Sequence, residues 1–117
     1  MTFTVRFTEQ AKADLKDTYE YIAFELGSPE SAEGQLIRLQ RRIEELSELP
    51  ERYRRYNHEP WYTRNLCVMP VDRYLVFYIS DAAQRTVTVI RIMCGGRDVH
   101  THLNRLDNES HRSPLFQ

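Results

Sequence analysis

Residues 74–79, Tyr74-Leu75-Val76-Phe77-Tyr78-Ile79, decide the fold. A short, unbroken run of apolar, aromatic and β-branched residues predicts a central strand buried on both faces. After it, Asp81–Arg85 reads as a turn and Thr86–Met93 as a second strand rich in Val, Thr and Ile. Gly95-Gly96 ends that strand, and Arg97-Asp98 follow at once. Before it, 61–69, beginning at Trp61 and carrying Leu66 and Val68, reads as a strand, with Pro70-Val71-Asp72 as the connecting turn. Together these segments predict a three-strand meander.

The first half of the chain is helical apart from its start. Phe3, Val5 and Phe7 alternate with Thr4 and Arg6, the period of a half-buried strand. Thr8 is placed as a helix N-cap, and Ala11, Leu15, Tyr19, Ile22 and Leu26 then recur at helical spacing until Gly27. Ser28-Pro29 restarts a helix, with Ser as cap and Pro at the first position. Its stripe is Ala32, Leu36, Leu39, Ile43 and Leu46, and Pro50 ends it. So short a break between two helices predicts an antiparallel hairpin. The segment 51–60, polar, aromatic and basic, has neither period and reads as a loop.

The expected class is therefore α+β in the order β-α-α-β-β-β. The first strand must join the meander to satisfy its backbone. The helical hairpin is expected on one face of a small, mainly antiparallel sheet, with the other face and the loops left for function. Residues 1–106 are expected to form one domain and 107–117 a loose polar tail.

Composition narrows the function classes. The chain has 117 residues, 41% of them hydrophobic, enough for one modest core and too many for a disordered chain. A net charge of −1 excludes a histone-like basic module and an acidic-tail protein. Two cysteines, Cys67 and Cys94, make no disulfide scaffold and no CxxC pair. No apolar run approaches the roughly 18 residues of a membrane span, and no signal-like segment opens the sequence. A cytoplasmic protein without a membrane role is expected.

The distribution of charge says more than its sum. Residues 1–59 hold nine Lys/Arg against twelve Asp/Glu, whereas 60–106 hold six arginines against three aspartates and no lysine. Arginine suits planar, bidentate contact with phosphate. A phosphoryl-transfer site is accordingly sought among Arg64, Arg73 and Arg97. His58, Glu59, His100 and His102 are the candidate proton acceptors, and Trp61 and Tyr74 the candidate base-stacking rings. Arg97-Asp98 has the alternative of being a turn-closing ion pair. No HExxH, GxSxG or GxxxxGK motif is present, nor any metal-spaced Cys/His set, so no cofactor or metal is expected.

The strand pair Tyr74–Tyr78 and Arg91-Ile92-Met93-Cys94-Gly95-Gly96-Arg97-Asp98 resembles the RelE/ParE superfamily of bacterial toxins from type II toxin–antitoxin modules. Phe7-Thr8, Ala11, Asp14-Leu15 and Tyr21-Ile22 agree with that pattern, as does Leu49-Pro50-Glu51-Arg52-Tyr53-Arg54; the likeness runs from residue 3 to about 103. The resemblance implies a growth-inhibiting toxin with a cognate antitoxin protein as partner. It also implies one of two activities. RelE-type members cut mRNA on the ribosome without a metal, the 2′-hydroxyl attacking the adjacent phosphate. ParE-type members bind and inhibit DNA gyrase. Arg97 falls where the nucleases place an arginine against the scissile phosphate. Their two lysines fall near Asn65 and Cys67, which carry no charge, and their next arginine near Tyr74, one residue from Arg73. Their C-terminal stacking aromatic falls near Leu103. The arginines of the second half favour ribosome-dependent mRNA cleavage. Gyrase binding is the alternative, and a catalytically degenerate antitoxin-binding module a third.

Overall fold

The computed structural model describes residues 2–95 and Leu103. Strand β1 (Thr4–Phe7) leads into helix α1 (Glu9–Glu20), which continues as a π-helical segment over Tyr21–Glu25. Helix α2 (Pro29–Glu44) follows, then 3-10 turns at Glu45–Ser47 and Pro50–Arg52. Strands β2 (Leu66–Val71), β3 (Tyr74–Asp81) and β4 (Thr86–Cys94) complete the order β-α-α-β-β-β. No described helix is long and apolar enough to cross a membrane.

The sheet runs β1-β4-β3-β2, with β1 parallel to β4 and the other two pairs antiparallel. The run 74–79 thus lies between two neighbours, as its composition requires. Tyr78 pairs with Val89 but Phe77 with Arg91, so Ile90 is an extra residue that bends β4.

Local chemistry places both helices. The Thr8 hydroxyl accepts from the Ala11 N–H at 3.0 Å and donates to the Ile90 carbonyl at 2.9 Å, fixing the start of α1 to β4. Ser28 caps α2, its hydroxyl accepting from the Ser31 N–H at 3.3 Å, with Pro29 at the first position. The first helix departs from expectation after Glu20. Its i→i+5 segment, closed by the Leu26 N–H to the Tyr21 carbonyl at 3.1 Å, turns more widely than an α-helix. The 3.6-residue stripe therefore slips, and Leu26, expected inside, is 59% exposed beside Tyr21 and Phe24.

Two cores sandwich the sheet. On the helix side Ala11, Leu39, Ile43 and Leu46 pack on Met69, Val76, Tyr78, Val87 and Val89. The opposite face was expected to be open; instead Trp61 and Leu103 pack there on Leu66, Val68, Phe77, Ile90 and Met93. The strand expected from Trp61 begins only at Leu66. Residues 61–65 form turns, with the Tyr62 N–H bonded to the His58 carbonyl and the Leu66 N–H to the Trp61 carbonyl, and Asn65 left-handed at φ 63°. Pro70, expected in a turn, lies within β2, whose outer edge needs no N–H there. The turn is Asp72-Arg73. The expected loop 51–60 is partly ordered against β2: Val68 donates to Arg54 at 3.0 Å and Tyr56 to Leu66 at 2.7 Å. The tail expected at 107–117 lies outside the described residues.

Candidate functional site

The residues proposed from sequence fall into three groups. Arg97, His100 and His102 lie outside the described residues. His58, Glu59, Trp61 and Arg64 precede β2, while Arg73 and Tyr74 follow it. A six-residue strand separates these two groups by about 20 Å. They stand at opposite ends of β2.

The group before β2 is built for folding. Trp61 is fully buried in the core, so its ring is no stacking platform for a base; this corrects the role expected for it. The Arg64 guanidinium lies over that ring at 5.0 Å. The Glu59 carboxylate accepts from the Thr63 hydroxyl and, at 2.7 Å, from the Thr63 N–H. Those bonds, the hydroxyl's first, hold the carboxyl below its ordinary range, which makes it a poorer proton acceptor.

Tyr74, in the group after β2, lines a cleft between α1 and the end of β4. Its walls include Asp17 and Thr18 from α1, Tyr21 from the π-helical segment, Tyr74 from β3 and Cys94 from β4, and it encloses about 580 Å³. Arg91 and Asp14 form its floor. Arg91 donates from Nε to Asp14 Oδ2 at 2.8 Å and from Nη2 to Oδ1 at 3.0 Å, and the Ile92 N–H adds a bond of 2.9 Å to Oδ2. Arg91 is the one cation lining the cleft among the described residues, and its fork is occupied by the carboxylate. Such a cleft presents carboxylates and tyrosines rather than a phosphate cradle.

Arg73 precedes Tyr74 in the β2–β3 turn. Its side chain is exposed and has no hydrogen-bond or ion-pair partner among the described residues. Its carbonyl accepts from the Gly95 N–H at 2.7 Å, which places the turn beside the point where the chain leaves β4. The preceding residue, Asp72, is left-handed at φ 55°, and its Oδ2 accepts from Arg38 Nε at 2.9 Å and Gln35 Nε2 at 3.1 Å, both on α2.

Sequence reasoning did not single out Asp14–Arg91 or the Asp72–Gln35–Arg38 cluster. The first had a signal: Asp14 interrupts the apolar stripe of α1, and Arg91 stands alone inside the apolar stretch 89–93. Two opposite charges, each on a face that should be buried, are complementary. The second had none, because nothing in the spacing of residues 35, 38 and 72 brings them together.

The profile of the family described as "ParE toxin of type II toxin-antitoxin system, parDE" matches residues 5–99. No curated protein matches by sequence. Among solved structures, the chromosomal ParDE toxin–antitoxin system of P. aeruginosa is similar at TM-score 0.64 and 16% identity, over 80% of this chain and 96% of that one. A mutant of the E. coli toxin RelE in the free state is similar at TM-score 0.61 and 15% identity, over 92% and 98%. A RelBE toxin–antitoxin complex of Mycobacterium tuberculosis gives 0.58 and 21%, over 80% and 99%.

Proposed function

We propose that this chain, which belongs to the ParE toxin family of type II toxin–antitoxin systems, arrests growth by binding DNA gyrase rather than by cutting RNA. It is the toxin of such a system, and a cognate antitoxin is its partner. The observation that carries the gyrase reading is the scatter of the described cleavage candidates. One ring is in the core, one carboxylate is held by Thr63, and the arginines stand at opposite ends of β2. A phosphoryl-transfer centre needs its cations and proton acceptor converging on one reacting group. A binding surface needs only a rigid, accessible patch.

Ribosome-dependent mRNA cleavage is the second reading, and one observation favours it. Arg73 and Tyr74 lie at the sheet end from which the chain continues past Gly95 toward Arg97. Brief induction of the toxin in growing bacteria separates the two. Gyrase inhibition halts thymidine incorporation before leucine incorporation, and mRNA cleavage gives the reverse order.

The antitoxin is assigned to the tip of the helical hairpin. Phe24 is 74% exposed there, and Tyr21 and Leu26 stand beside it. This tip continues into an apolar groove lined by Leu15, Tyr19 and Leu36. Large apolar side chains clustered in the open mark a contact surface.

A further inference from the structure

We propose that Asp72, Gln35 and Arg38 are positioning residues that lock the β2–β3 turn onto α2 and so hold Arg73 fixed for contact with an acidic surface of the toxin's protein target. This rests on the reading of the chain as a gyrase-binding toxin.

The turn is held from two sides. On one side the three side chains close a ring: Arg38 Nε and Gln35 Nε2 both donate to Asp72 Oδ2, and Arg38 Nη2 donates to Gln35 Oε1 at 3.3 Å. Gln35 and Arg38 are one helical turn apart on α2, so the helix presents them as a unit. On the other side the Gly95 N–H grips the Arg73 carbonyl. A Cβ at Gly95 would come within 3.2 Å of that oxygen, so glycine lets β4 approach this closely. The backbone of Arg73 is therefore fixed at both flanks while its guanidinium stays in solvent.

Fold stability accounts for only part of this arrangement, the pairing of the buried Gln35 amide. Arg38 and Asp72 are 56% and 46% exposed, and an ion pair so open to water adds little to the folded state. A left-handed φ at residue 72 is met most simply by glycine. An aspartate there accepts a backbone restriction and gains a tie to the helix. What the tie supplies is preorganisation: an exposed arginine on a rigid turn loses less freedom on binding than one on a loose turn. Its planar fork matches a carboxylate on a protein surface.

The experiment uses the full chain and two readouts, amide exchange at Gly95 and the concentration giving half-inhibition of DNA gyrase supercoiling. Asp72→Gly keeps the left-handed turn accessible but deletes the ring. It is expected to speed Gly95 exchange and weaken inhibition about tenfold, with a modest fall in melting temperature as the Gln35 amide loses its acceptor. Arg38→Ala should do the same. Asp72→Asn, which retains an acceptor and tolerates the left-handed region, should restore most of the potency. Arg73→Ala should weaken inhibition as much while leaving Gly95 exchange at the wild-type rate. An Asp72→Gly variant as potent as wild type, or one with unchanged Gly95 exchange, overturns the proposal alone. A wild-type chain that leaves supercoiling untouched overturns the gyrase reading and the proposal with it.

Discussion

Arg91 on β4 and Asp14 on α1 form a two-pronged ion pair across the floor of the cleft, at 2.8 and 3.0 Å. Their side chains are only 14% and 6% exposed. The pair joins the first helix to the last described strand and occupies the cation that a phosphate would need there. Breaking it leaves a guanidinium nearly buried without its counter-charge. Asp14→Ala should therefore destabilise the fold by about 3–5 kcal/mol in urea denaturation. Replacing both partners, Asp14→Leu with Arg91→Met, should recover part of that loss, since no charge stays buried while the Ile92 N–H loses its acceptor. A single Asp14→Ala variant losing under about 1 kcal/mol would mean the pair is solvated in solution.

Trp61, the one tryptophan of the chain, reports on the second core. Fully buried against Leu66 and Phe77, it should emit at short wavelength and resist quenching by iodide in the free toxin. Trp61→Ala should cost about 3–5 kcal/mol, the usual range for emptying a core aromatic site. Trp61→Phe should cost far less, because the indole N–H has no acceptor among the described residues. Red-shifted, readily quenched emission would contradict this placement.

The two cysteines should separate by reactivity. Burial pushes the Cys67 thiol up, so at any given pH a smaller fraction is thiolate and attack on a disulfide reagent is slower. Cys94 is partly exposed at the end of β4. One thiol should be titrated rapidly near pH 8 in the folded chain, and the second only on unfolding. Raising the pH should speed the slow thiol only above the ordinary thiol range. Two equally fast thiols would show that β2 opens freely.

Phe24 tests the antitoxin surface. Phe24→Glu removes no buried contact, so the melting temperature should hold, whereas antitoxin affinity measured by calorimetry should fall about tenfold or more. Unchanged affinity would move the antitoxin elsewhere.

Local chemistry made most of the fold legible. The run 74–79 marked a central strand, Thr8 and Ser28-Pro29 marked both helix starts, and the order of elements followed. What stayed hidden depended on contacts remote in sequence. The π-helical segment after Glu20 moved Leu26 from the expected stripe into solvent, because period counting assumes an α-helix throughout. Trp61 and Tyr74 look alike as exposed aromatics near arginines, yet only packing on the far face of the sheet puts the first in the core. The site was read less well than the fold. Arginine content pointed to phosphate, but composition cannot tell that Arg64 and Arg73 flank a six-residue strand on opposite ends. Nor can it tell that Arg91 is matched to Asp14.

The most direct measurement is a paired assay with the purified toxin, run against DNA gyrase relaxing and supercoiling a plasmid and against ribosomes programmed with a defined mRNA. Dose-dependent inhibition of supercoiling is expected, relieved by the antitoxin and weakened by Arg73→Ala, with the mRNA intact. Cleavage of the ribosome-bound message, with supercoiling proceeding at the uninhibited rate, would contradict the gyrase reading.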